Sequence, residues 1–301
     1  MSVASTLVTK AAKELSQRHG KCQDCTEMCS GNCKSCLEDI HMNQKKRRYD
    51  CHYMRSYYIV SYLYKYKKEI RMAMEINRSE ILRHLNLDGP VKIVSIGCGP
   101  GTEIVGFQEF LLDAMHEPGN EWPDIDIKYV GIDINKDWND YFKTTNTLVE
   151  SKFKSAGVPY KWNFYKSDVF NFDLNSETID IVFLPYVLSE IKKYCDDEKG
   201  MTARVGDLWS KVESKLYDKS LIVCNDINYE DLARAYFDTL YRKITLPKKI
   251  RQSCFLQRKK YYQYGNIIKD HGIDSDYPED VRRKYNVWSD CTSAQAVIFV
   301  G

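Results

Sequence analysis

"VKIVSIGCGPGTEIVGF", residues 91–107, decides how this 301-residue chain is read. Val91–Ile96 is a short run rich in β-branched residues, which suits a strand. Gly97, Gly99 and Gly101 follow at once, and Gly101–Met115 carries the apolar spacing of a helix. A strand that turns into a helix through Gly-x-Gly-x-Gly can let its backbone approach a ligand closely, because glycine accepts φ > 0. The helix that follows offers unpaired N–H groups at its N-terminus. Taken alone, the pattern fits a dinucleotide-binding turn or a plain tight turn.

The alternation continues outward from this stretch. Strands are expected at Ile127–Ile132, Tyr160–Tyr165, Ile179–Leu184, Ser220–Cys224 and Ala294–Val300. Helices are expected at Lys136–Ala156, Met201–Leu216 and Tyr229–Tyr241. Such alternation implies right-handed crossovers and an α/β, doubly wound, mostly parallel sheet. Ligands of such sheets sit at the carboxyl ends of the strands, where the strand order reverses.

Four strand ends carry suitable groups in sequence. The glycines close the first. Asp133 closes the second ("YVGIDIN"), where a carboxylate can accept hydrogen bonds from both hydroxyls of a ribose. Asp168 follows the third ("YKSDVFNFD"), where an adenine amino group could be met. Pro185 and Tyr186 close the fourth ("IDIVFLPYVLSEI").

These four motifs resemble those of class I S-adenosylmethionine-dependent methyltransferases, over residues 90–301. The resemblance implies a seven-stranded Rossmann-like sheet and S-adenosylmethionine as cofactor. It implies that Gly97, Cys98, Gly99 and Gly101 line the methionine part and that Asp133, with Ile134 beside it, holds the ribose. Asp168 would meet the adenine, with Val169 or Phe170 against the ring. Pro185 and Tyr186 would lie at the methyl end. Many members carry an acid two positions before the first glycine, contacting the methionine amine; here that position is Ser95. A dinucleotide oxidoreductase is the rival, but its Gly-x-Gly-x-x-Gly spacing is not met, since the next glycine is Gly106.

Methyl transfer needs a nucleophile aligned with the C–S bond, and a base only if the acceptor's proton must leave. No histidine stands at the fourth strand end. Tyr186 and Glu190, one helical turn apart, are the catalytic candidates, against the plainer reading of Glu190 as a surface residue. "LPY" at 184–186 lacks the polar side chain that amino-methyltransferases of nucleic acids place before their prolines.

Six of the 11 cysteines fall between Cys22 and Cys51. In a reducing compartment such density reads as a metal site. Two Cys-x-x-Cys pairs, Cys22/Cys25 and Cys33/Cys36, make a tetrahedral Zn²⁺ set, with Cys29, Cys51 and His52 as alternates. A helical Cys seam, an iron–sulfur cluster and disulfides are the alternatives. A radical enzyme is disfavoured by the methyltransferase motifs.

The formal net charge of +2 hides an uneven distribution. Residues 91–241 hold 26 acids against 16 bases, while residues 242–262 hold 8 bases and no acid. Residues 45–68 are basic and tyrosine-rich, with Tyr49, Tyr53 and Tyr57 and then Tyr58, Tyr62 and Tyr66 at helical spacing. Segments 45–68 and 242–262 could together contact RNA; the plainer reading is solvated or packed helix faces.

Three regions are expected: a Cys-rich head at 1–44, a basic helical segment at 45–89, and the cofactor-binding domain at 90–301. No apolar run is long enough to span a bilayer and no secretory signal is evident, so a cytoplasmic or nuclear protein without membrane contact is expected. The acceptor could be RNA, protein or a small molecule, with RNA favoured by the charge pattern. The alternative is a catalytically silent binding or assembly protein on the same fold.

Overall fold

The computed structural model describes the chain except residues 18–31, 42–48, 86–88, 118–124, 175–177, 228–234, 246–248, 257–265, 269–275, 286, 288–292 and 301. Four helices come first: α1 (Val3–Ser16), α2 (Cys33–His41), α3 (His52–Ile76) and α4 (Arg78–Leu85). Then β1 (Val91–Ile96), α5 (Thr102–Met115), β2 (Ile127–Asp133), α6 (Asn139–Ser155), β3 (Tyr160–Lys166), β4 (Ile181–Pro185), α7 (Val187–Lys192), α8 (Glu198–Glu213) and β5 (Leu221–Ile227) alternate. A 3-10 turn, Lys136–Trp138, leads into α6. The chain ends with α9 (Ala235–Lys243), β6 (Lys249–Leu256), β7 (Asn266–Ile268), α10 (Glu279–Tyr285) and β8 (Ser293–Val300).

The sheet order is β3-β2-β1-β4-β5-β8-β6-β7. The pairs from β3 to β5 are parallel, and β8 is antiparallel to both β5 and β6. Among the described residues every strand therefore runs one way except β8. Strand order reverses between β1 and β4, so the crevice at their carboxyl ends is the place for a ligand. The sheet differs from the expected seven strands: eight lie among the described residues. Two strands, β6 and β7, join the six read directly from the sequence; β7 pairs in parallel with β6 and covers a sheet edge that would otherwise leave backbone groups unpaired. Part of the basic stretch at 242–262 thus belongs to strand β6.

Both faces of the sheet are covered, which explains the apolar run at β4, whose first four residues are all buried. Val91, Ile93, Tyr129, Ile181 and Val223 pack with α1, α3, α5 and α6 on one face. Val94, Ile96, Val182 and Leu184 pack with α7, α8 and α9 on the other. The N-terminal helices share the first of these cores with the sheet: Val3, Leu7, Ile59 and Leu63 are buried in it. Helix α3 lies directly across α5, and Gly106 is what permits it. A Cβ at Gly106 would sit 2.4 Å from the Lys67 carbonyl oxygen.

Candidate functional site

The site begins with the backbone of the glycine loop. Gly97, Gly99 and Gly101 all adopt positive φ, at 68°, 49° and 79°, a region that other residues enter only with strain. Gly101 is the N-cap of α5. The amides of Gly97 and Cys98 both donate to the Ile132 carbonyl, which fixes the loop against the end of β2. The Gly99 amide then donates to Asp133 Oδ2 at 2.8 Å, and the Asn135 amide donates to Oδ1 at 2.8 Å. A carboxylate has about four lone-pair sites, so each oxygen keeps capacity for another donor. Burial pushes the Asp133 carboxyl up to about 6, against the lowering effect of those two amides; the Glu190 charge adds to the rise.

Around Asp133 the expected residues gather. Ile134 is 64% exposed, an apolar side chain set at a strand end with no cover. Asp168 follows β3, and its Oδ1 accepts from the Phe170 amide at 3.0 Å. The Ser167 amide donates to the Asp133 carbonyl at 3.0 Å, joining the two loops. Val169 and Phe170 are half-buried. Strand ends β1, β2 and β3 thus meet at one edge, as the motif order required.

Ser95 lies fully buried beneath the loop, not at its rim. The Ser95 hydroxyl acts on Glu103, an acid in the first turn of α5 that is also fully buried. Tyr129 donates its hydroxyl to Glu103 Oε1 at 2.5 Å. Glu103 Oε2 and Ser95 Oγ have no hydrogen-bond partner. Burial pushes the Glu103 carboxyl up to about 7, with the nearby Ser95 and Tyr129 hydroxyls acting against the rise.

The fourth strand end is strained. Tyr186 has φ 56°, the one positive-φ residue other than glycine among the described residues. Its amide donates to the Asn225 carbonyl at 2.6 Å, and its hydroxyl donates to Glu69 Oε2 at 2.6 Å. Glu69, buried on α3, also accepts from Asn225 Nδ2 at 3.0 Å. Gln295 on β8 donates to Asn225 Oδ1 at 2.9 Å. Burial first, and then the Glu69 charge, hold the Tyr186 hydroxyl well above its ordinary range. Buried Asp226, beside Asn225 at the end of β5, accepts from the Leu188 and Ser189 amides at the start of α7.

Tyr186 and Glu190 part company within this frame. The Tyr186 hydroxyl turns towards α3. Glu190 binds Lys193 Nζ at 2.6 Å, and its charge is felt at Asp133, Tyr49 and Tyr58. Glu69, Asn225, Asp226 and Gln295 belong to the site although none was singled out from sequence. The "ND" at the end of β5 was the one available signal, a polar pair closing an apolar strand.

Helix α3 closes the site with rings. Tyr66 packs on Tyr186 at 4.1 Å between centroids, Tyr62 stacks on Tyr66 at 5.3 Å, and His41 of α2 stacks on Tyr62 at 4.9 Å. Tyr58 touches Tyr62 at 5.3 Å and Trp138 at 5.1 Å, and Tyr49 meets Trp138 at 5.2 Å. Trp138 in turn lies over the glycine loop, its Cε2 3.8 Å from where a Gly99 Cβ would be. The tyrosines at 49, 58, 62 and 66 therefore face the site. Arg55 donates to the carbonyls of Tyr49 and Asp50, and Lys67 to Glu109 at 2.7 Å.

Of the expected metal ligands, Cys22, Cys25 and Cys29 lie outside the described residues. Cys33 and Cys36 sit in the first turn of α2 and both are buried. Cys51, the N-cap of α3, packs with Cys36, Leu37, Ile40 and Met54. His52 Nε2 points to Glu14 Oε2 at 3.4 Å. Among the described residues no cluster of three or more metal-binding side chains occurs, and no helix is long and apolar enough to cross a membrane.

No family model matches the chain, and no curated protein does. In fold the chain is similar to S-adenosylmethionine-dependent methyltransferases of solved structure. One is the plantazolicin methyltransferase BpumL in complex with a monoazolic desmethylPZN analog and SAH, at 11% identity and a TM-score of 0.47, covering 98% of this chain and 99% of that one. Another is a SAM-dependent methyltransferase from Archaeoglobus fulgidus, at 17% identity and 0.37, covering 76% and 93%. A third is a putative rRNA-methylase from Clostridium thermocellum, at 10% identity and 0.39, covering 75% and 96%. None of these three reaches a TM-score of 0.5, and the architecture rests on the strand order described above.

Proposed function

We propose that this chain is an enzyme of the EC 2.1.1 class that transfers a methyl group from S-adenosylmethionine. The observation that carries this reading is the tie between the glycine loop and Asp133. Three left-handed glycines at the β1–α5 turn bring a backbone amide onto the acid that ends β2, at the point where strand order reverses. That arrangement suits a ligand with a ribose hydroxyl pair and a polar tail. Gly97, Cys98, Gly99 and Gly101 would hold the tail, with buried Ser95 beneath. Asp133 and Ile134 would hold and cover the ribose, and Asp168 and Val169 the adenine. Pro185 and Tyr186 would stand at the reacting end.

The cofactor supplies an electrophilic methyl group on a sulfonium. The residues of this chain orient the acceptor for in-line attack and exclude water; the C–S pair of electrons goes to sulfur, and a departing proton needs a base. Glu190 and the Tyr186–Glu69 pair are the proton-accepting groups within reach of this edge. The left-handed Tyr186 supports catalysis over a silent assembly role, because such strain costs about 1–3 kcal/mol and persists where function requires it.

Calorimetric titration with S-adenosylmethionine and S-adenosylhomocysteine tests the reading. Saturable binding is expected for both and loss of binding in Asp133→Ala; unchanged binding in that variant overturns the assignment.

A structural Zn²⁺ in the N-terminal head is part of the proposal. Cys33 and Cys36 bury two sulfurs on one helical turn, half of a tetrahedral set that Cys22 and Cys25 would complete. Elemental analysis of the purified chain tests it: one zinc is expected, whereas iron with labile sulfide, or no metal, counts against it. A cytoplasmic or nuclear setting goes with reduced thiols. RNA as acceptor, reached through 45–68 and 242–262, stays a proposal. It is weakened by the internal engagement of Arg55 and Lys67 and by tyrosines that face inward.

A further inference from the structure

Two carboxylates bracket the glycine loop. Asp133, at the end of β2, holds the Gly99 amide at 2.8 Å. Glu103 comes from the first turn of α5 and is fully buried, with Ser95 of β1 and Tyr129 of β2 as its hydroxyl neighbours. The Cys98 side chain ties the loop down between them: its Sγ is 2.8 Å from where a Gly131 Cβ would stand. Burial raises the Cys98 thiol, and the Asp133 and Glu103 charges add to the rise. Glu190 acts in the same sense on Asp133, and Asp133 on Glu103, so the loop sits in a negative field.

Glu103 is an expensive residue for this position. Tyr129 donates to Oε1 at 2.5 Å, but Oε2 and the Ser95 hydroxyl, both buried, have no hydrogen-bond partner. A buried carboxylate with an unpaired oxygen lowers stability in its charged form, and an amide or apolar side chain would avoid that loss. A cation held by the glycine loop offsets it, because Coulomb attraction is weakly screened in the protein interior. Of the amino-acid tail that this loop would hold, the ammonium is the complementary part.

We propose that Glu103 is a positioning residue of the cofactor site: ionised beneath the glycine loop, it orients the ammonium of the amino-acid tail, acting through Ser95 and the loop rather than by touching the ligand. The proposal rests on the methyltransferase reading above. A proton is linked to it. Burial raises Glu103 to about 7 and Asp133 to about 6. The other groups that feel Glu103, the hydroxyls of Tyr58 on α3, Tyr129 on β2 and Tyr160 on β3 and the Cys98 thiol, are held by burial well above their ordinary values, so they keep their protons at neutral pH. Glu103 is therefore roughly half protonated at pH 7 in the ligand-free protein. The ammonium favours its ionised form, and binding sends the proton from a Glu103 oxygen to solvent.

The test is calorimetry of the full chain at pH 7 in buffers of different ionisation enthalpy, which reads the protons released on binding. Three ligands are compared: S-adenosylhomocysteine; an aminopropylthio-adenosine, which keeps the amine and lacks the carboxylate; and methylthioadenosine, which lacks both. All three present the same ribose to Asp133. The first two are expected to release roughly half a proton more than the third. Glu103→Gln should abolish that excess and weaken the first two at least tenfold. Its affinity for methylthioadenosine should change less than threefold, which also shows that the variant folds. Equal proton release by all three ligands in the unaltered protein overturns the proposal without recourse to a variant. Equal loss of all three in Glu103→Gln, or no loss of any, overturns it as well. So does an aminopropyl ligand that behaves like methylthioadenosine, since the carboxylate rather than the ammonium would then be what the loop senses. If none of the three binds, the methyltransferase reading falls and this proposal with it; if they bind without these differences, this proposal alone falls.

Discussion

The Tyr186 hydroxyl donates to Glu69 Oε2 at 2.6 Å across 117 positions of sequence. The contact joins the end of β4 to the middle of α3, and Asn225 joins both from β5. It holds the strained Tyr186 in a fixed orientation and makes an N-terminal helix part of the site. Removing the hydroxyl in Tyr186→Phe leaves Glu69 with one donor fewer in a buried setting. A stability loss of about 1–3 kcal/mol is expected, read as a shift in the urea midpoint. Turnover should fall at least tenfold with little change in S-adenosylmethionine affinity; a loss confined to affinity would contradict the placement of Tyr186 at the reacting end.

Asp133 predicts a pH dependence of cofactor binding. Its carboxyl is pushed up to about 6 by burial, and the charged form is the better acceptor for ribose hydroxyls. Affinity should therefore fall as pH drops from 7.5 to 5.5, because protonation removes the charge over that window. Calorimetry across the range checks this, and Asp133→Asn should give a weaker profile that keeps only the fall due to Glu103.

Glu103 predicts the opposite trend in the stability of the ligand-free protein. Its folded-state pKa, about 7, is raised above the ordinary 4.5 by burial. The folded state thus binds the proton more tightly, so the group's contribution is full below about 4.5 and is lost as pH rises through 7. Between pH 5.5 and 7.5 the loss amounts to about 2 kcal/mol. Thermal melts should show lower stability at pH 7.5 than at 5.5. Glu103→Gln should flatten that difference and raise Tm at pH 7.5, since it removes a buried charge whose desolvation outweighs its hydroxyl partners. Asp226, raised to about 6 by burial, acts in the same direction over a lower window.

Gly106 predicts a clash at the α3–α5 crossing. In an isolated helix Gly→Ala stabilises by roughly 1 kcal/mol. Here the new Cβ would lie 2.4 Å from the Lys67 carbonyl oxygen, which is backbone and cannot swing aside. The two helices must separate, at a cost of about 1–3 kcal/mol from overpacking. Gly106→Ala is therefore expected to lower Tm despite its better helix propensity. The displacement of α3 should also reduce turnover, because Glu69 and Tyr66 ride on that helix.

Much of this protein is determined locally, and for a physical reason. The β-branched run at Val91–Ile96, the three glycines and the acid closing β2 are set by contacts between near neighbours, so periodicity and turn chemistry reveal them. The strand was bounded to the residue, and the tie from Gly99 to Asp133 is the tertiary form of that motif order. The third and fourth strand ends follow the same logic. What only the folded chain decided lies between segments far apart in sequence. Gly106, unexplained by the glycine motif, is there because another helix crosses it. Glu69 is one acid among several on α3 until packing brings it to Tyr186. Tyr49, Tyr58, Tyr62 and Tyr66 suit a surface by composition, but packing turns them towards the strand ends, whereas Tyr57 and Tyr64 pack against Tyr285 and Tyr277. The eighth strand, β7, is three residues long and too short to carry a period of its own; only the open edge of β6 gives it a partner. A sequence shows what neighbours impose on one another, whereas helix crossings and buried charge partners are settled when distant segments compete for the same core.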